Sequence, residues 1–515
     1  MLRIGESVGL QLQQLASKPL DHLALAGEIH APALIDKAGL ISFFELDQIV
    51  GKMAAWLRAQ NLSKGDRVAS WGPKSRFTCL MPLACARAGL VHVPINPALK
   101  ALQAAYILND SGARLLIAGA ARLHNLRDHD VSFMAKTLDE ALVWPEMLAA
   151  SGAIGPSAYG PDTLAAILYT SGSTGRPKGV MLSHQNMMLG AVSVARYLKL
   201  GADDRTLCVL PLAFDYGQNQ LLSTWAAGGA VVPFDYLLPR DVVKAVARYE
   251  ITTLAGVPPL WVQLDEVPWP DEAIAPLRRL TNSGGRLPVS LVQRMRARFP
   301  MAELYLMYGL TEAFRSTYLD PALVDQFPDA VGEAIPFAEV RIVRPDGHEA
   351  DVGEPGELVH GGPLVAQGYW QDEARTAERF RPAPRCMTYQ GMAVWSGDTL
   401  VRDAAGLLRF VGRDDEMIKV SGNRISPTEI EEAAIASKHV AEAVAFGVAD
   451  DRLGQSIWLV ARPVGGKADE AGLIGWFRRE MPSHMVPQRI IWRDKFPRNP
   501  NGKLDRVQIR NEVMS

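Results

Sequence analysis

The residues best suited to chemistry sit in one run, Tyr169-Thr-Ser-Gly-Ser-Thr-Gly-Arg-Pro-Lys-Gly179, which holds three glycines, four Ser/Thr hydroxyls and one lysine. Glycines let backbone N–H groups approach an anion, hydroxyls add donors, and Lys178 supplies a compact positive charge, a combination suited to polyphosphate. The run is not a Walker A loop, because the GxxxxGK[ST] spacing is absent and Gly179 follows the lysine. Composition alone also allows a flexible surface turn.

Further polar groups punctuate the chain at Tyr308-Gly-Leu-Thr-Glu312, Ser396-Gly-Asp398, Gly412-Arg-Asp-Asp415 and Pro500-Asn-Gly-Lys503. Taken singly, Asp398 and Arg413 read as a surface ion pair, Glu312 as a helix N-terminal charge and Lys503 as a solvated tail lysine. Taken in order, they carry more. With the first run, and with Ile418-Lys-Val-Ser-Gly-Asn-Arg-Ile425 followed by Glu429-Ile-Glu431, they form six motifs over residues 169–503. This series resembles the AMP-forming acyl- and aminoacyl-activating ligases, which include acyl-CoA synthetases, adenylation domains and luciferases. Ser183-His184-Gln185-Asn186, Phe43, Leu46, Gly65-Asp66-Arg67-Val68 and Ala88 to Pro94 extend the resemblance over nearly the whole chain. Pro94 to Gln103, with Leu108-Asn-Asp110, also resembles a bacterial subgroup of exosortase-associated acyl-CoA ligases.

The resemblance implies a role for each position. Thr170, Ser171, Gly172, Ser173, Thr174, Gly175 and Lys178 would cradle the phosphates of ATP. Ser283, Gly284 and Gly285 with Tyr308 would line the adenine slot, and Gly309 belongs to the same nucleotide set. Thr311 would donate to a phosphate oxygen, and Glu312 would hold Mg²⁺, an ion that takes few protein carboxylates beside phosphate oxygens and water. Asp398 would accept the ribose hydroxyls and Arg413 help hold the nucleotide. Lys503 would bridge the attacking carboxylate and the α-phosphate, making it catalytic together with Thr311 and Glu312. A hinge at Asp415 would then withdraw Lys503 and bring the loop carrying Gly422 to the path of a pantetheine thiol, on CoA or on a separate carrier protein.

In the same reading the acid is surrounded by Asp215, Tyr216, Asn219, Thr281, Ser283, Met307, Arg315 and Ser316. Phe214-Asp215 matches the members that activate amino acids, where the aspartate meets the substrate ammonium; without that match, Asp215 reads as exposed or as a helix cap. Arg315 is the odd member. It would face a second carboxylate on the substrate or Asp215 itself, and the sequence does not choose. So polar a wall suits a small polar acid, an amino acid first, better than a long hydrocarbon chain. A medium-chain acyl-CoA synthetase and a non-catalytic nucleotide-binding relative are the alternatives.

These residues need elements to hold them. The 515 residues allow two to four structural units. Short β-rich runs alternate with helical patterns: Arg67 to Trp71, Leu90 to Pro94, Leu164 to Tyr169, Thr206 to Leu210, Ala230 to Pro233, Ile251 to Ala255 and Glu303 to Met307 read as buried strands. Phe77 to Ala88, Asp241 to Tyr249 and Val289 to Phe299 read as helices between them. After Phe337, short runs split by Gly, Pro and Asp predict a small β subdomain. Ser426-Pro-Thr-Glu429 is a capping-box signature that opens a helix to about Ser437, and strands at Val440 to Phe446, Ser456 to Ala461 and Arg489 to Trp492 follow. The expectation is α/β: a large N-terminal domain of layered α/β subdomains plus a small β subdomain over residues 1–414, then a small mobile α+β C-terminal domain over 415–515.

Composition bounds the partners. Lys plus Arg number 54 and Asp plus Glu 56, a net charge of −2 that argues against nucleic acid held by bulk charge. The four cysteines, Cys79, Cys85, Cys208 and Cys386, have no metal-ligand spacing. The uncharged stretch Tyr216 to Phe234 is too polar for an integral membrane span, and the N-terminus lacks the apolar core of a secretory signal, so the cytoplasm is expected.

Overall fold

A parallel strand buried on both faces must be followed by a helix that returns across the sheet, and this chain repeats that unit in two layers. The computed structural model describes residue 12 and residues 14–129, 132–170, 177–413, 416–420, 423–450 and 453–515, with backbone alone at 413, 419, 423, 424, 454 and 484. The first layer is a six-stranded sheet ordered Lys136–Asp139, Leu115–Ala118, Arg67–Trp71, Val91–Ile95, Leu164–Thr170 and Lys178–Ser183. All its pairs are parallel except the last, an antiparallel hairpin. The second is a nine-stranded sheet whose centre, Ala230–Pro233, Arg205–Cys208, Thr253–Gly256, Arg279–Asn282 and Glu303–Tyr308, is parallel throughout. The runs read from sequence fall into these sheets within about two residues.

Helix His184–Tyr197 is buried along nearly its whole length in the main apolar core. Its start is fixed locally: Ser183 Oγ accepts from the Asn186 N–H at 3.2 Å and Asn186 Oδ1 accepts from the Ser183 N–H at 2.9 Å. The Asn186 amide also donates to the carbonyls of Pro363 and Val365, tying the helix to the loop beyond the β subdomain strand Pro355–Gly361. That subdomain is an antiparallel five-stranded sheet formed by Glu339–Val343, Pro355–Gly361, Met392–Arg402, Phe380–Pro382 and Leu408–Arg413.

From Ile418 onward the chain builds its own five-stranded sheet, in which Val440–Asp450 and Gly454–Pro463 form the long central pair. Helix Pro427–Ala436 opens as expected, but without the expected capping box: the buried Ser426 hydroxyl has no hydrogen-bond partner, and the Glu429 N–H is taken by the Ser426 carbonyl at 3.1 Å. Proline at the first helical position sets the entry angle without the side-chain cap. Glu431 on this helix instead accepts two hydrogen bonds, at 2.6 and 2.5 Å, from Arg506 on the last helix, Arg506–Met514. No helix among the described residues is long and apolar enough to cross a membrane.

Three histidines are buried neutral in this framework. His184 Nδ1 accepts from the Leu20 N–H at 3.1 Å, while His92 and His360 face the Ser70 and Ser316 hydroxyls at 2.9 and 3.0 Å. Burial lowers His184 to about 4 and the other two to about 3. The unfolded chain, with histidines near 6.5, therefore binds more protons below that pH, and acid favours unfolding. Each should withdraw about 2 kcal/mol of stability by pH 5. The thermal midpoint is expected to fall steadily from pH 7 to 5, and a midpoint flat over that window would contradict the neutral burial.

Candidate active site

Parallel sheets collect functional groups at the carboxyl ends of their strands, where loops and helix N-termini meet. Here Asp215 opens helix Asp215–Ala226 after strand Arg205–Cys208, Ser283 follows Arg279–Asn282, and Tyr308 ends Glu303–Tyr308. The first layer contributes its hairpin. Thr170 and Lys178 face one another as its last pair. Ser171, Gly172, Ser173, Thr174 and Gly175 lie outside the described residues, as do Asp415 and Gly422; of Arg413 only the backbone is described, paired with Asp398.

Lys178 donates from Nζ to Glu312 Oε1 at 2.9 Å and to the Tyr369 hydroxyl at 2.5 Å, and that hydroxyl donates to the same carboxylate oxygen at 2.6 Å. Burial opposes ionisation of Glu312, yet Lys178, Arg379 and Tyr369 together hold its carboxyl down to about 2. The result is a permanent buried anion beside a cation. Thr170 Oγ1, buried without a partner, lines the same cleft of ≈ 400 Å³ as Lys178, Glu312, Arg379 and Asp398. Among the described residues no three His, Cys, Asp or Glu side chains converge on a metal. One ionised carboxylate beside Lys178 in an open cleft fits Mg²⁺, an ion that takes few protein carboxylates.

Tyr308 donates to Asp398 Oδ2 at 2.5 Å, joining the nine-stranded sheet to the β subdomain, and its ring lies 6.3 Å from that of Phe410. Lys503 reaches this cleft from the C-terminal unit. Its loop is a tight turn: Asn499 Oδ1 accepts from the N–H groups of Asn501 and Lys503 at 3.1 and 3.0 Å, and the Asn499 N–H donates to the Lys503 carbonyl at 2.8 Å. The Asn96 amide holds this turn by donating to Pro500 O at 2.9 Å and Asn501 Oδ1 at 3.1 Å. The lysine then crosses Gly284. A Cβ there would lie 2.6 Å from Lys503 Cε, and φ is +80°, so the position suits glycine on both counts. The ammonium ends 5.1 Å from the Phe214 ring centroid.

Asp215 and Arg315 are both buried, with Nη1 to Oδ2 at 3.7 Å. Arg315 also donates to Ser283 Oγ at 3.1 Å and lies 4.6 Å over the Tyr216 ring. Burial pushes the Asp215 carboxyl up, against the opposing pull of Arg315, Lys503, Thr311 and the Tyr216 N–H. Thr311, expected at a phosphate, donates its hydroxyl to Asp215 Oδ1 at 3.1 Å instead. Tyr216, Asn219, Thr281, Met307 and Arg315 line one small cavity, with Tyr216 and Thr281 hydroxyls 2.6 Å apart. Ser316 is elsewhere. It is fully buried against His360 rather than at that cavity, because the turn through Phe314 separates it from Glu312. Phe314 has φ +65°, an outlier for a bulky residue, held by its ring packing on helix His184–Tyr197 at Gly190.

Tyr369, Arg379 and Asn96 were not anticipated. A lone tyrosine, an arginine ending a short helix and an asparagine between prolines carry no spacing signal, and only the fold brings them to the cleft.

The AMP-binding enzyme family matches residues 20–370, and the AMP-binding enzyme C-terminal domain matches residues 429–503. Feruloyl-CoA synthase from Amycolatopsis sp is 31% identical over 489 residues, covering 93% of this chain and 96% of its own. The L-proline--[L-prolyl-carrier protein] ligase of Pseudomonas fluorescens is 30% identical with the same coverage. Among solved structures, ATP-bound MatB from Rhodopseudomonas palustris superposes with a TM-score of 0.87 at 27% identity, over 96% of this chain and 99% of that one.

Gly284→Ala should displace Lys503 without unfolding the sheets. Hydrogen exchange of the Asn499–Lys503 amides is expected to accelerate by about 10-fold or more, with strand Glu303–Tyr308 unaffected. Unchanged protection at Lys503 would show that the lysine does not depend on that opening.

Proposed function

We propose, for a chain that belongs to the AMP-binding enzyme family and is an AMP-forming ligase, that it activates a small polar acid, an amino acid first, and loads it on a pantetheine thiol. The observation that carries the substrate reading is Asp215. It is a buried carboxylate whose cations leave it short of positive charge, and an incoming ammonium supplies the remainder. Relatives of both kinds support the wider statement, one named for a CoA thioester and one for a carrier-protein ligase.

In the first step a carboxylate oxygen of the acid bonds to the α-phosphorus of ATP, the bond to the bridging oxygen breaks, and pyrophosphate leaves. Two anions must approach in line, so positioning and charge neutralisation do most of what the protein contributes. Lys178 and Thr170 meet the phosphates, together with Ser171, Gly172, Ser173, Thr174 and Gly175. Asp398 accepts the ribose hydroxyls, Ser283 to Gly285 and Tyr308 flank the base, and Gly309 and Arg413 complete the nucleotide site. Glu312 would hold Mg²⁺, which draws charge from the phosphate oxygens. Lys503 places its ammonium between the acid and the α-phosphate. Thr311 releases Asp215 to the substrate ammonium and turns its hydroxyl to a phosphate.

In the second step the thiol sulfur bonds to the adenylate carbonyl carbon, the carbon–oxygen bond to AMP breaks, and the thiol proton passes to solvent. Lys503 occupies the cleft in the first step and has to vacate it for the second. Residues 415–515 are taken as the unit that moves, about Asp415, bringing Gly422 to the thiol path. The contacts to be broken are polar: Asn96 to the 500–501 turn, Arg286 to Glu432 at 2.8 Å, and Arg462 to Glu266 at 2.8 Å.

Lys503→Ala is expected to slow adenylate formation by about 100-fold or more while sparing thioester formation from supplied adenylate. Equal losses in the two half-reactions refute its role. ATP–pyrophosphate exchange across amino acids and simple carboxylic acids should respond to amino acids, with Asp215→Ala reducing it about 100-fold. Exchange driven only by aliphatic acids and indifferent to that change assigns a medium-chain acyl-CoA synthetase instead.

A further inference from the structure

The end wall of the acid cavity contains a cation that the surrounding protein does not satisfy. Arg315 is 2% exposed; its Nη1 donates to Ser283 Oγ and stands 3.7 Å from Asp215, and the guanidinium lies 4.6 Å over the Tyr216 ring. Nε and Nη2 are buried without a hydrogen-bond partner. Burial raises the Tyr197 hydroxyl to about 12 while the charge and hydrogen bonding of Arg315 pull it down; that hydroxyl donates to Met307 Sδ at 2.9 Å and is the protein group Arg315 would exchange for a ligand. Nε–H and Nη2–H together form one edge of the guanidinium fork, the geometry that takes a carboxylate through two parallel hydrogen bonds.

Arg315 and Asn219 line one cavity. The Tyr216 and Thr281 hydroxyls, which bond to each other, also line it, with Tyr197, Leu198 and Met307. About 20 Å³ of water-accessible space is left, so the group received there is short. The backbone keeps the guanidinium in place: the Phe314 turn precedes it, and a Cβ on Gly309 would come within 2.7 Å of Arg315 Cα.

Charge then selects among acids. With no acid bound, Asp215 and Arg315 stand 3.7 Å apart and meet one another incompletely. An amino acid with an uncharged side chain would give its ammonium to Asp215 and leave Arg315 as an uncompensated buried cation. A dicarboxylic acid without an amine would satisfy Arg315 and leave an excess negative charge beside Asp215. A hydrocarbon chain would satisfy neither and cover the unmet N–H groups. Only an acid carrying both an ammonium and a second carboxylate satisfies both residues at once. We propose that the acid is an amino dicarboxylate, its ammonium received by Asp215 and its distal carboxylate by the Nε–Nη2 edge of Arg315, with Asn219 beside it. This rests on the ligase reading above and narrows it.

The test is ATP–pyrophosphate exchange on the full chain with L-aspartate, L-glutamate, L-asparagine, L-glutamine, L-2-aminobutyrate, succinate, glutarate and a series of aliphatic acids. L-Aspartate or L-glutamate should exceed L-2-aminobutyrate and the amine-free diacids by about 100-fold or more in kcat/KM, because a site built to bond a polar group rejects analogues lacking it. Arg315→Met, close in length and uncharged, should erase the preference over L-2-aminobutyrate, with the thermal midpoint reporting that the variant is folded. The wild-type panel decides alone if the variant is not. A preference for uncharged amino acids or for plain monocarboxylic acids overturns the inference, makes Arg315 the internal counter-ion of Asp215, and leaves the ligase function standing. Exchange with no acid at all overturns both.

Discussion

A carboxylate removed from water has to be met by positive charge, and the body of this protein is arranged around two such meetings. Glu312 is met by Lys178, with Tyr369 bonded to both, and remains ionised. Asp215 is met less completely by Arg315 at 3.7 Å, and its carboxyl is pushed up. The two pairs are chemically alike and electrostatically different. The first is a settled anion suited to a cation–phosphate assembly, and the second is an unsettled pair suited to exchanging partners with a charged substrate.

What keeps them apart is one short stretch of backbone. Thr311, Glu312 and Arg315 follow the same strand, and the 3₁₀ turn Thr311–Ala313 with Phe314 at φ +65° sends Glu312 to Lys178 and Arg315 to Asp215. Such strain persists only when the surroundings over-determine it. Here the Phe314 ring fills the space left by Gly190 on a helix that is itself pinned by Ser183 and Asn186.

Lys503 is under the opposite constraint. It belongs to the last turn of the chain, so its place in the cleft depends on an interface rather than on a core. The turn Asn499–Lys503 is built internally, the helix behind it is locked by Arg506 on Glu431, and the hold on the body is polar. Polar, modest interfaces between units separate more readily than apolar ones.

Period and punctuation in the sequence were enough for seven strands of the two α/β layers, because a strand buried on two faces is usually continuously apolar, whereas the polar strand Arg279–Asn282 at the centre of the second sheet escaped them. The motif residues Lys178, Tyr308, Glu312, Asp398 and Lys503 were legible for a related reason: a phosphate loop and its counter-charges need fixed residue types at fixed spacing, and the cleft does bring these five together. The Ser426 cap was read from the same kind of local signal and failed, since the Ser426 carbonyl took the N–H that its hydroxyl was expected to take. Tyr369, Arg379 and Asn96 left no local trace, and Ser316 was placed on the wrong side of its turn. Whether Arg315 faces Asp215 or a ligand depends on which of its N–H groups find partners on segments distant in the chain. Spacing along a chain fixes which side chains are available, whereas burial and the direction of each hydrogen bond exist only once distant segments are packed, so the sequence by itself determined the chemistry on offer and the tertiary structure alone decided which charges were left wanting a partner.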